Sequence, residues 1–168
     1  ALKFQKITKD CWKVQTKGVS ELYIKYNYYA NDINAGSTFL DATQLYMNPV
    51  NCCVYIPGRT NEPCEMELLL PPDYQLACGA RQSGREGKLF LSTADFDELA
   101  DSPFIAYATM QRHSLTCEGI VFYLWFQVEC KPDWKKLEPD FHKFCTHQLQ
   151  MMEKAPFETY HFLFQILP

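Results

Sequence analysis

The sequence lacks two features that would point to a large class of partners. It has no basic stripe, since 16 lysines and arginines stand against 20 aspartates and glutamates, for a net charge of −4. A protein that neutralises a row of phosphates needs an excess of positive charge on one face, so we expect no nucleic-acid partner. The longest apolar run, Ile120–Phe126, is only as long as a strand. A membrane helix needs roughly twenty apolar residues, so we expect no membrane partner either.

The eight cysteines lack the spacing of a metal site or a disulfide framework, because no CxxC pair occurs among them. Cys52 and Cys53 are adjacent, and adjacent side chains of a strand point to opposite faces, which prevents them from binding one metal. A chain of 168 residues can bury a stable core without disulfides. We therefore expect most of the cysteines to be reduced thiols that pack as small apolar residues.

The chain is rich in residues that favour strands and a packed core. Forty-seven per cent of its residues are hydrophobic, and 12 phenylalanines and 10 tyrosines are among them. Runs with alternating side chains recur between turn signals such as Pro57-Gly58 and Pro71-Pro72, and the most regular, 20–30, predicts a strand inside a sheet. The predicted strands are 3–7, 11–14, 20–30, 44–47, 50–56, 64–70, 74–78, 89–91, 104–109, 114–117, 119–129 and 160–167. They predict a mainly β protein, built as an antiparallel sandwich or a saddle-like sheet.

Two helices interrupt the strands. The first, 93–100, is a short connector with Ser92 or Thr93 as its cap and acidic residues at its N-terminal end. The second is predicted to begin near Pro139, because proline favours the first turn of a helix, and to continue to about 154. A C-terminal strand follows it.

The polar, proline-bearing segment 131–137 is the predicted domain boundary, because the side-chain period changes there. It separates a β domain, 1–131, from a second unit, 138–168, made of the C-terminal helix and strand.

None of the candidate metal ligands has workable spacing. His142 and His147 lie five residues apart on one helix, unlike the i, i+4 histidines of a zinc helix. His113 and Cys117 lie close in sequence, yet nothing nearby completes a tetrahedral set. We expect no metal ligand in this chain.

Catalytic residues are not expected either. An acidic cluster, made of Asp95, Asp97, Glu98 and Asp101, lacks the glycine and the spacing of a calcium loop, so it is interpreted as complementing the start of a helix. Cys145 lies near two histidines, but a thiol on the apolar stripe of a helix is usually packing rather than a nucleophile. The sequence therefore predicts no catalytic and no cofactor-binding side chain.

The C-terminal helix and strand carry more apolar surface than they can leave in water. We predict that this segment docks within its own chain or across a homodimer, through a docking surface that comprises Phe141, Phe144, Leu149, Met152, Phe162 and Phe164.

Several motifs occur in the order found in the glycyl aminopeptidase family of zinc metallopeptidases. They are Thr38-Phe39-Leu40-Asp41, Leu45-Tyr46-Met47, Leu70-Pro71-Pro72-Asp73-Tyr74, the run from Asp95 to Phe104 with its Asp-Glu-Leu-x-Asp-Ser-Pro core, and the Pro-Phe-x-x-Tyr-x-Phe segment from Pro156 to Phe162. From about Trp12 onward the chain resembles the N-terminal β domain of that family, followed by the first helix and strand of a thermolysin-like catalytic domain.

The resemblance implies a function for a longer protein. Such enzymes hold zinc through a His-Glu-x-x-His helix, which this sequence does not contain, and a PDZ domain often follows the catalytic domain. The resemblance thus implies no cofactor in this chain and zinc in its parent protein. It also implies that the chain begins part-way into the β domain, without the opening strands of that domain.

We therefore expect a non-catalytic domain that buttresses its own catalytic domain and forms part of the cleft for a peptide substrate. Family members with export signals favour an extracytoplasmic location. The alternative is a free-standing β-sandwich binding module, in which exposed tyrosines stack on a carbohydrate; the candidates are Tyr23, Tyr29, Tyr46 and Tyr55.

Overall fold

A computed structural model describes residues 2–153 and 155–166 of the chain. The protein is mainly β, as predicted. In chain order the elements are β1 (Phe4–Lys6), β2 (Trp12–Val14), β3 (Phe39–Leu40), β4 (Gln44–Met47), α1 (Pro49–Cys52), β5 (Cys64–Leu68), β6 (Gln75–Cys78), β7 (Arg81–Arg85), β8 (Lys88–Thr93), α2 (Phe96–Ala100), β9 (Phe104–Tyr107), β10 (Gln111–Cys117), β11 (Ile120–Phe126), α3 (Trp134–Met152) and β12 (Thr159–Phe164).

The described strands form four sheets. β1 and β2 form a hairpin, a second sheet has the order β3-β4-β9-β6, a third has the order β5-β8-β7, and the last has the order β10-β11-β12. Every pair is antiparallel except β11 and β12, which run parallel with Val121 opposite Thr159 and Phe126 opposite Phe164. A parallel pair requires a crossover connection, and α3 provides it.

The first core lies where the second and third sheets contribute side chains to one cluster. Phe104 of β9 is fully buried there and Leu91 of β8 is 1% exposed. The rest of this core comprises Leu68, Leu76, Cys78, Ala80 and Ala106. The residues from β5, β6, β8 and β9 that point inward are thus those that the alternating pattern marks as apolar.

The second core lies between the last sheet and α3. Alternate residues of β11, Phe122, Leu124 and Phe126, point toward the helix, and Cys145 and Leu149 of α3 meet them. The α3 residues lie four positions apart, which is the spacing of one helix face. The helix covers one face of the β10-β11-β12 sheet.

The predicted strand 20–30 is wrong. Among the described residues, no strand pairs with the backbone of this segment. At its end, the Ala30 carbonyl accepts one hydrogen bond from the Leu40 amide. Tyr23 and Tyr29 are both more than four-fifths exposed. Alternation indicates an extended segment, but a strand also needs a partner to satisfy its backbone groups, and none of the described residues supplies one.

The predicted strand 50–56 is also wrong, because α1 occupies its first residues. Pro49 begins this helix, where its missing N–H costs nothing, and the Cys53 amide donates to the Pro49 carbonyl to close it. The apolar side chains of this segment favoured a strand, whereas the local proline decided the backbone.

The other two helices differ from the prediction: α2 is shorter than predicted, and α3 begins earlier. The cap of α2 is Asp95, not Ser92 or Thr93. α3 begins at Trp134, five residues before Pro139, since the Leu137 amide already donates to the Asp133 carbonyl. Pro139 thus lies inside the helix, and the segment 131–137 is partly helical.

Candidate functional site

One surface that the structure leaves open lies beside β12. This strand is at the end of its sheet, so among the described strands none pairs with its outer edge. Next to that edge, α3 and β12 enclose an apolar groove of about 320 Å³. We call it the α3–β12 groove; its lining residues are Leu137, Asp140, Phe141, Phe144, Phe162 and Phe164.

The structure divides the predicted docking surface between an inner and an outer part. Phe141 lies against Phe162 and Phe164, with ring centroids 5.3 and 6.1 Å apart, and Leu149 is buried in the second core. Phe144 and Met152 lie outside this core and are 51% and 59% exposed. The C-terminal segment therefore packs on its own chain, and Phe144 remains as an apolar side chain at the mouth of the groove.

The opposite face of the same sheet carries a cluster of aromatic and cationic side chains. Trp125 of β11 donates its indole N–H to His161 Nδ1 of β12 at 3.1 Å, and the two rings stack. The guanidinium of Arg112 lies 5.3 Å from the ring centroids of both Trp125 and Tyr123. Burial, with a smaller effect of the Arg112 charge, lowers the pKa of His161 below 6.5, so this histidine is neutral and accepts from Trp125.

The histidines that the sequence analysis considered as metal ligands, and set aside, lie apart in the structure. His142 and His147 line the exposed side of α3, away from both cores. His113 stacks on Trp134 at 3.9 Å, and its Nε2 lies 3.5 Å from the Glu138 carboxylate. Across residues 2–153 and 155–166, no group of three or more His, Cys, Asp or Glu side chains is arranged to hold a metal ion. The residues present therefore do not fit a zinc site.

Three of the four residues of the acidic cluster lie at the start of α2, as interpreted from the sequence, whereas Asp101 lies at the C-terminal end of the helix. Asp95 Oδ1 accepts a hydrogen bond from the Glu98 amide at 2.8 Å, and Glu98 Oε2 accepts from the Ala94 amide at 2.6 Å. Asp97 follows in the first turn, where negative charge is favourable. The carboxylates of Asp95 and Glu98 thus satisfy backbone donors at the start of the helix.

The tyrosines proposed for sugar stacking do not form one platform. Tyr46 is buried, and its hydroxyl donates to the Ala35 carbonyl at 2.7 Å. Tyr55 is 58% exposed, and its ring lies tilted against Phe96 with centroids 4.9 Å apart. Tyr23 and Tyr29 are more exposed, and both lie on the segment 20–30, which forms no strand.

Sequence reasoning missed a buried polar contact between two sheets. The Gln127 amide, just after β11, donates to Gln44 Oε1 at the start of β4, and both side chains are less than a tenth exposed. A buried glutamine needs a partner, so this pair links the β3-β4-β9-β6 sheet to the β10-β11-β12 sheet. The sequence did contain a signal for this contact, because the polar Gln127 directly follows the longest apolar run, Ile120–Phe126.

No helix among the described residues is long and apolar enough to span a bilayer. No curated protein sequence matches the chain.

Among solved structures, an aminopeptidase N family protein from Idiomarina loihiensis is similar at 25% identity with a TM-score of 0.77. That match covers 99% of this chain and 29% of the other, so the chain spans less than a third of the length of that relative.

The M1 zinc metallopeptidase from Deinococcus radiodurans is 11% identical, with a TM-score of 0.50 over 73% of this chain and 32% of its own. A mutant of that enzyme, also 11% identical, has a TM-score of 0.51, and the match covers 75% of this chain and 33% of the mutant. At this identity the likeness concerns the fold alone.

The family comparison agrees with the motifs and with the fold. The peptidase M61 N-terminal domain matches residues 1–107, which include the first three sheets. The resemblance inferred from the sequence is therefore confirmed at the level of the domain. This chain belongs to the peptidase M61 N-terminal domain family.

Proposed function

We propose that the chain is the non-catalytic N-terminal part of a zinc-dependent aminopeptidase and that it buttresses the catalytic domain beside the substrate cleft. The observation that carries the proposal is the open edge of β12 next to the α3–β12 groove. Parallel sheets usually have both faces covered, and the unpaired backbone groups of an edge strand readily accept another strand. A strand of the catalytic domain that extends the sheet from β12 supplies such a neighbour.

The groove favours an apolar contact at that edge. Its lining is apolar apart from Asp140, and Phe144 is half exposed at its mouth. A side chain that enters from an added strand is covered by Phe144 on α3 and by Phe162 on β12. Burial of one large apolar side chain there is worth about 1.5–3 kcal/mol.

Zinc and the peptide substrate belong to the rest of the parent protein in this proposal. The described residues offer no ligand set, so zinc would be held by residues outside them, where it would supply Lewis-acid activation. The β domain, 1–131, and the helix–strand unit, 138–168, act together as one support, because the β10-β11-β12 sheet takes strands from both.

A direct test compares two substitutions on α3 in the protein encoded by the whole reading frame, assayed with an aminoacyl chromogenic substrate. Phe144→Asp places a charge at the mouth of the groove, and we expect it to lower kcat/KM at least about tenfold and to expose the segment 127–133 to limited proteolysis. His147→Asp places the same charge on the exposed side of the same helix and serves as the matched control.

Unfolding measurements on the 168-residue chain alone distinguish an effect on docking from an effect on folding. Phe144 is half exposed in this chain. The free energy of unfolding of each variant should therefore lie within about 0.5 kcal/mol of that of the unsubstituted chain. Equal activity of the two full-length variants would contradict the proposed docking. A stop codon directly after Pro168, with no His-Glu-x-x-His segment in the reading frame, would contradict the proposed function itself.

A further inference from the structure

We propose that Cys117 and Cys145 are an oxidisable pair that forms a disulfide between β10 and α3. Cys117 is the last residue of β10, and Cys145 lies near the middle of α3. Both are 1% exposed and both belong to the core between the sheet and the helix. Neither is required by the proposed peptidase function, so the inference goes beyond that proposal.

The two cysteines lie on facing elements. The Cys117 thiol donates to the His142 carbonyl oxygen at 3.8 Å, one turn before Cys145 on α3. Both cysteines belong to the same buried cluster between the sheet and the helix. Burial, followed by the neighbouring Cys117, raises the pKa of the Cys145 thiol. Cys117 is thus held against the turn of the helix that carries Cys145.

The same chain contains a second pair of neighbouring cysteines that cannot be bridged as easily. Cys52 and Cys53 are adjacent in sequence. Consecutive Cα atoms lie about 3.8 Å apart, whereas a disulfide usually needs about 4.4–6.8 Å. Cys117 and Cys145 come from separate elements and are free of this constraint.

The reaction is a two-step exchange with a small-molecule disulfide such as oxidised glutathione. One thiol loses its proton and attacks, which forms a mixed disulfide and releases one glutathione thiolate. The second cysteine then displaces the other glutathione, so the protein loses two protons and two electrons and glutathione disulfide is reduced to two thiols. No other oxidant is needed.

Burial determines when the exchange can occur. It raises the pKa of Cys145 to about 11 and also raises the pKa of Cys117, so little thiolate forms while α3 is docked. The bridge therefore closes before α3 docks, or when it opens, and afterwards shields itself from reductants. Once closed, it holds α3 on the sheet.

The test uses the whole chain, unfolded without reductant and refolded in a buffer of oxidised and reduced glutathione, then alkylated and digested. We expect one cross-linked peptide pair that contains Cys117 and Cys145, and a fall in titratable thiols from eight to six. Amide exchange across α3 should slow at least about tenfold in the oxidised form and return on reduction. Cys130→Ser removes a nearby half-buried thiol as the matched control and should keep the cross-link.

Two results would overturn the proposal. One is recovery of Cys117 and Cys145 as separately alkylated or glutathionylated peptides from the folded, unsubstituted protein. The other is a fall of two thiols that persists in Cys145→Ser, because the bridge would then lie elsewhere. The first measurement does not depend on whether a variant folds.

Discussion

At the scale of single residues, burial distinguishes two leucines that have the same side chain but different surroundings. Leu91 is 1% exposed in the first core, whereas Leu69, just after β5, is 80% exposed. We expect Leu91→Ala to lower the free energy of unfolding by about 2–5 kcal/mol, because it leaves a cavity. Leu69→Ala should change it by less than about 0.5 kcal/mol. Urea unfolding of both variants measures this; equal losses would show that the two sites are packed alike.

His161 gives the chain a dependence on pH near neutrality. Its pKa is lowered on folding, chiefly by burial, so between that value and about 6.5 the unfolded chain binds more protons than the folded one. The stability of the native state is therefore complete above about pH 6.5 and falls as the pH drops through this range. Protonation of Nδ1 would also remove the acceptor of the Trp125 N–H.

We expect His161→Gln to weaken this dependence. The measurement is the loss of unfolding free energy between about pH 7.5 and pH 5.5, compared with that of the unsubstituted chain. His147→Gln, on the exposed side of α3, is the control and should leave the loss unchanged. A His161→Gln variant that loses as much stability as the unsubstituted chain would contradict the assignment.

At the scale of elements, the start of α2 depends on one carboxylate. Asp95 accepts from the Glu98 amide, and removing such a cap costs about 1 kcal/mol. We expect Asp95→Ala to lower the unfolding free energy by that amount. Asp101 lies at the opposite end of the helix, where negative charge is unfavourable, so Asp101→Ala should be neutral or slightly stabilising. Thermal unfolding distinguishes the two, and equal effects would argue against the cap.

The sequence predicted those elements that local chemistry determines. Alternation located strands such as β4, β6 and β9, and the acidic run located α2. β7 was missed because its residues are polar and contain Gly84, so the segment read as a turn. It pairs with β8 nonetheless, because Glu86 and Gly87 both take positive φ and close a tight hairpin.

Long-range partners were the part that the sequence could not supply. The segment 20–30 has the pattern of a strand, but pairing depends on which backbone lies beside it. The α3–β12 groove was foreseen only as a set of apolar residues. Which of them would face inward, such as Phe141, and which outward, such as Phe144, depends on where β12 joins the sheet.

At the scale of the whole molecule, the described residues hold no metal site. We expect the purified, tag-free chain to contain far less than one zinc ion per molecule, by elemental analysis after dialysis without chelator. Stoichiometric zinc that disappears when histidines or cysteines are substituted would contradict this. The prediction concerns the chain alone and leaves zinc in the parent protein as proposed.

The parallel pairing of β11 with β12 has a consequence for biosynthesis. β10 and β11 form a local hairpin through Glu118 and Gly119, so they can pair as soon as they are made. β12 follows only after α3, and until then the second edge of β11, with its Ile-Val-Phe-Tyr-Leu-Trp-Phe sequence, is uncovered. Such a segment is prone to intermolecular β aggregation. Slow, low-temperature expression should therefore raise the yield of dispersed protein, because it gives β12 time to reach that edge before a neighbouring chain does.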